Sequence, residues 1–153
     1  MERNMNRREL LIAAAALGAV AAAPGSLRFA RAAEADKVAE AIAAITGGKT
    51  AQPGRVTLTA PAIAENGAVV PVSVEVASPM TQGEHVKSIT IIADKNPQPR
   101  VISVNLTPDN GAAYLSVRMR LGETSPVRAF AVMSDGAVYA AEKSVKVTIG
   151  GCG

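Results

Sequence analysis

Among its 153 residues the chain has no tryptophan, one cysteine, one histidine and an aromatic share of only 3%. A single cysteine excludes an internal disulfide framework and leaves no resolving thiol for a Cys-x-x-Cys oxidoreductase. One histidine beside one cysteine falls short of the several ligands a metal site needs, so neither metal nor cofactor is expected. With few aromatics and no stripe of Lys and Arg, nothing points to nucleic acid as a partner. Long hydrophobic runs are also missing. The uncharged stretch from Leu10 to Ala23, mostly alanine, falls well short of the ~20 residues that span a bilayer, so no stable membrane anchor is expected.

What stands at the start is an export leader. Arg7 and Arg8 precede the apolar stretch, and Ala30-Arg31-Ala32 offers small residues at both key cleavage positions. The Arg-Arg-Glu-Leu-Leu version reads as a twin-arginine signal, which makes the twin-arginine export machinery a partner and the periplasm the destination. Cleavage after Ala32 removes Arg3, Arg7, Arg8, Arg28 and Arg31 together with Glu2 and Glu9. The exported chain then carries as many acids as bases, and the formal net charge of +3 belongs to the leader. A neutral domain has little long-range steering, so docking rests on shape and short-range contacts.

Residues 33–55 read as a short helix and a linker. Val38, Ala41, Ile42 and Ile45 fall at helical spacing between Glu34 and Ile45, Gly47-Gly48 stops the helix, and Pro53-Gly54 turns the chain. From Val56 to Ile149 the period changes to two. Val70, Val72, Val74 and Val76 alternate with more polar positions, as do Ile102, Val104 and Leu106. Leu115, Val117, Met119 and Leu121 do the same, and so do Val145, Val147 and Ile149. Val86 to Ala93 and Val127 to Met133 are strand-like but less strict. Asn66-Gly67, Asn110-Gly111 and Asp135-Gly136 predict tight hairpins, and Asn96-Pro97-Gln98-Pro99 a stiff turn. About seven short strands with regular turns predict an all-β fold, an antiparallel β-sandwich of immunoglobulin-like type with a short N-terminal helix. Pro71, inside a strand, points to an edge position. A core this poor in aromatics, with only Tyr114, Phe130 and Tyr139 after the leader, leads us to expect a partner subunit over some apolar surface.

The sequence ends Ile149-Gly150-Gly151-Cys152-Gly153. The last strand runs straight into a glycine tether, Gly150, Gly151 and Gly153, around the one thiol. An extended tail would carry Cys152 on the order of 10 Å past Ile149, and glycines make it thin and mobile. A buried, inert cysteine is the plain alternative, but a chain end with no bulky neighbours has little to be buried by. Prenylation requires the cysteine four residues from the end. A Cys–His pair with His85 would need fixed geometry that such a tail lacks, and His85 sits in a polar turn. No cation stands near Cys152 to lower its pKa, and the adjacent terminal carboxylate disfavours the thiolate. The thiol is reactive by access, and its activation falls to a partner.

These residues resemble the SoxY family. The ending Val147-Thr148-Ile149-Gly150-Gly151-Cys152-Gly153 is similar to that family's C-terminal signature. The likeness extends to Ser78-Pro79-Met80-Thr81, Val86-Lys87-Ser88-Ile89, Lys95-Asn96-Pro97 and Met133-Ser134-Asp135-Gly136, and to the leader and the helix from Asp36 to Gly48. Members commonly end in two glycines after the cysteine, whereas here only Gly153 follows. The resemblance implies a carrier without catalytic residues of its own, on whose Cys152 sulfur intermediates of thiosulfate oxidation are held. It implies a SoxZ-like subunit in a heterodimer, and partner enzymes SoxAX (haem proteins), SoxB (a metal-dependent hydrolase) and in some organisms SoxCD (a molybdenum–haem enzyme). Without it, the residues also fit an exported immunoglobulin-like interaction module whose cysteine forms an intermolecular disulfide.

Overall fold

The structure, a computed structural model, describes residues 26–149, with side chains from Ala35 onward. The chain divides into two units, Met1–Ala33 and Glu34–Gly153. Arg7 and Arg8 of the expected leader lie outside the described residues, as do Gly150, Gly151, Cys152 and Gly153. No described helix is long and apolar enough to cross a membrane.

Among the described residues a helix, α1 (Ser26–Thr46), precedes eight strands: β1 (Val56–Thr59), β2 (Ile63–Asn66), β3 (Val70–Val76), β4 (Val86–Ala93), β5 (Arg100–Asn105), β6 (Ala113–Met119), β7 (Ser125–Met133) and β8 (Val138–Ile149). The helix begins earlier than the apolar spacing from Glu34 implied. Its end is as expected, with Gly47 and Gly48 both at positive φ, where a side chain would be strained.

The strands form a three-stranded sheet, β1-β3-β6, and a five-stranded sheet, β2-β8-β7-β4-β5. Every pairing is antiparallel except β2 with β8, which is parallel. The all-β sandwich of immunoglobulin-like type is therefore observed. Between the sheets lie Val70, Val72 and Val74 of β3, Ile89 and Ile91 of β4, Val127 and Ala129 of β7, Val145 of β8 and the loop residue Leu121. In β3 burial alternates residue by residue, as the period of two requires.

The five-stranded sheet is not wet on its other face. Ile92, Phe130 and Val138 form a second cluster there, packed against Ala41, Ile42 and Ile45 of α1. Being covered on both sides explains why Val86–Ala93 and Val127–Met133 do not alternate strictly: a strand with two buried faces reads as a near-continuous apolar run. Arg128 crosses this covered face to meet Asp94 at 2.8 Å and Glu142 at 3.2 Å. Burial of Asp94 pushes its carboxyl pKa up, against the pull of Arg128.

Three sequence expectations need correction. Asn66-Gly67 and Asn110-Gly111 are not hairpin turns, because the strands they join lie in different sheets: β2 and β5 in one, β3 and β6 in the other. The turn chemistry is real, with Gly111 at φ 69°, but it changes sheets instead of reversing a ladder. Of the three dipeptides Asp135-Gly136 alone closes a hairpin, between β7 and β8. Pro71 is also not on an edge strand, for β3 is the central strand of its sheet. Its position is tolerated because β1 stops opposite Ser73, so on that flank no described strand needs a donor from Pro71. The presumed linker is stitched in as well: Gln52 N–H donates to Val138 C=O at 2.8 Å, and Ala140 N–H donates to Gln52 C=O at 2.9 Å.

Candidate functional site

The four residues that sequence singles out lie beyond the described chain, so the site is built from where that chain ends. β8 pairs with β7 from Val138 as far as Val145, which stands opposite Ser125, and then continues for Lys146, Val147, Thr148 and Ile149. Over this tip its partners change. β2 runs parallel to it, with Ile63 opposite Lys146, Ala64 opposite Val147 and Asn66 opposite Ile149. Lys146 N–H donates to Ala62 C=O at 2.9 Å. On the β7 side, where the ladder has ended, Val147 N–H donates to the Thr124 hydroxyl at 3.0 Å.

The last carbonyl is held too. Gly67 N–H donates to Ile149 C=O at 2.8 Å, and Gly67 C=O accepts from Leu121 N–H at 2.8 Å. Leu121 is fully buried, so the strand end is connected through two backbone bonds to the core. Asn66 shapes the turn by accepting Ala68 N–H on its own side-chain oxygen at 2.8 Å. The β6–β7 loop is fixed in turn by Asn96, whose amide donates to Arg120 C=O at 2.8 Å and accepts from Gly122 N–H at 3.2 Å. Three connections thus converge around the point where the chain passes into Gly150. Ile149 itself is 67% exposed.

Sequence reasoning placed the chemistry at Cys152 and missed these supports. Asn66-Gly67 was visible only as a turn signal, and Thr124 carries no sequence signal of its own role. His85 stands elsewhere, half-buried, with Nδ1 3.2 Å from Thr81 C=O and its backbone N–H donating to the Ser134 hydroxyl at 3.2 Å. Among the described residues no group of three or more His, Cys, Asp or Glu is arranged to hold a metal ion. A cavity of about 290 Å³ lies beside the β4–β5 loop, lined by Lys37, Asp94, Lys95, Asn96, Pro97 and Pro99.

Strand β8 of this sandwich outruns its antiparallel neighbour β7 by four residues, and in the sequence the one cysteine follows three positions after its end. The chain belongs to the SoxY family: the model of sulfur oxidation protein SoxY matches residues 42–152, a span that ends on Cys152. The structure is similar to that of the sulfur carrier protein SoxY from Chlorobium limicola f thiosulfatophilum. The two share 35% identity and a TM-score of 0.63, over 75% of this chain and 99% of that one. A superoxide reductase (neelaredoxin) from Ignicoccus hospitalis matches at 15% identity and TM-score 0.51, over 61% of this chain and 80% of its own. That likeness shows the fold alone. No curated protein matches significantly. The family role is that of a sulfur carrier in sulfur oxidation.

The segments that carried the resemblance now have places. Ser78-Pro79-Met80-Thr81 is the β3–β4 turn, in which Met80 is buried with its sulfur 3.5 Å from Val86 N–H. Met133-Ser134-Asp135-Gly136 is the β7–β8 hairpin, and Lys95-Asn96-Pro97 supplies the Asn96 that ties two loops at the strand end.

Proposed function

We propose that this chain carries the intermediates of thiosulfate oxidation covalently on Cys152 and presents them to partner enzymes, without catalysing any step itself. The observation that supports this most is the family match running to Cys152, on a strand held in hydrogen bonds to Ile149, three residues short of it.

Carriage requires two changes at one sulfur. Joining thiosulfate to the Cys152 thiolate makes an S–S bond, gives a Cys–S–S–SO3⁻ adduct and releases two electrons, which the haem proteins SoxAX accept. Water then attacks the terminal sulfonate under the hydrolase SoxB, releasing sulfate and two protons and leaving a persulfide on the cysteine. Where SoxCD is present it oxidises the remaining sulfane sulfur. The chain's own contribution is one sulfur atom and its placement. A SoxZ-like subunit pairs with it, and the twin-arginine route delivers the folded pair to the periplasm.

Intact-mass measurement of protein isolated from thiosulfate-grown cells is expected to show sulfane and sulfonate additions, all mapping to Cys152. Cys152→Ala is expected to abolish thiosulfate oxidation while leaving the unfolding transition in place. A Cys152→Ala strain that still oxidises thiosulfate rejects the proposal.

A further inference from the structure

We propose that β2, the Asn66–Gly67 turn and Thr124 form a splint that aims the terminus, with Gly67 and Thr124 as positioning residues for the carrier reaction; this rests on the carrier reading above.

A strand tip that outruns its neighbour by four residues tends to fray, because its backbone groups turn to water, and here Val147 alone of the four packs on the core. Here the tip is held on both flanks. β2 is four residues long, and its pairing with β8 covers Lys146 to Ile149 and none of the β7-paired length. Packing does not account for β2, since only Ala64 of its four residues is buried. Its ladder does. On the other flank the Thr124 hydroxyl stands in for the β7 carbonyl that is no longer there. Gly67 then links the final carbonyl to buried Leu121. Each element acts on a stretch of β8 in which only Val147 packs against the core.

The consequence for a carrier is a matter of tether length. With the splint intact, Cys152 lies three residues in sequence past Ile149, the last described residue of β8. With the tip frayed back to Val145 it lies seven past. The effective concentration of a tethered group at its target falls roughly as the −3/2 power of tether length, so this change dilutes the sulfur about three- to fourfold.

Thr124→Val keeps the shape and the β-branch but removes the acceptor, and Thr124→Ser keeps the acceptor. Full-length exported protein carrying each is compared with wild type in three measurements. For Thr124→Val we expect amide exchange at Val147 to rise about two- to tenfold, the range an ordinary hydrogen bond controls. The KM of the partner enzymes for the carrier, in thiosulfate oxidation, should rise up to about fourfold with kcat little changed. Alkylation of Cys152 by iodoacetamide should not change, because a small reagent does not feel aim. Thr124→Ser should restore both altered values. Gly67→Pro, which deletes the donor to Ile149, should show the larger effect; if it does not fold, the Thr124 pair carries the test. Unchanged exchange at Val147 overturns the splint, and so does faster exchange with an unaltered KM. Failure of the carrier reading is told apart by Cys152→Ala retaining activity, a result that the Thr124 variants do not influence.

Discussion

β8 is two structures in one strand. From Val138 to Val145 it runs in a continuous antiparallel ladder on β7, with a side chain, Val145, sealed in the core. From Lys146 to Ile149 it is a projecting tip, with a parallel neighbour, a threonine hydroxyl as substitute acceptor, and Ile149 mostly in water. The first part obeys the economy of a core, in which burying apolar area sets stability. In the second, hydrogen bonds add to the partial packing of Val147 on the core, each worth little in net stability but firm in direction. One strand can therefore be altered at its two ends with opposite consequences.

Replacement of buried side chains should give the largest stability effects. Leu121→Ala, at the core residue to which the tip is tied, is expected to lower unfolding free energy by about 2–5 kcal/mol in chemical denaturation. Val145→Ala, in the β7-paired part of β8, should cost about 2 kcal/mol, since two methyl groups leave a closed site. If either loss fell below about 0.5 kcal/mol, the division of β8 would not hold. The charges over the β7-paired part should show in pH dependence. Burial raises the Asp94 pKa, so ionising it opposes folding. Relative to Asp94→Asn, the wild type should be most stable below the ordinary carboxylate value of 3.8 and lose that advantage as pH rises through the folded value. Denaturation at a series of pH values that showed the reverse slope would mean that the Arg128 pair outweighs burial. The smallest effect belongs to the tip: Ile149→Ala should change stability by less than about 0.5 kcal/mol.

How much of this was legible in sequence follows from how local each signal is. β3 and β6 could be read residue by residue because each has one face against the core, and the helix could be read from Ala41, Ile42 and Ile45, which meet the sheet. β2 could not. Ile63–Asn66 has no alternation to display, and its partner strand lies some eighty residues further along the chain. The Asn-Gly turns were legible as turns but not as to destination, because the dihedral preference of a dipeptide does not say to which sheet the next strand goes. At the candidate site, the glycines and cysteine could be picked out by residue type, whereas Thr124 and Asn96 act with side chains on backbone groups that only the fold brings near.

The shortness of β1 has a bearing on life in a crowded compartment. Where β1 stops opposite Ser73, the next stretch of β3 lies open beside a groove lined by Thr59, Ala60, Pro61, Val72 and Ser116. A stray strand seeking to extend the sheet there would meet Pro71, which has no amide hydrogen to give it. Along this flank the fold is closed to a further strand.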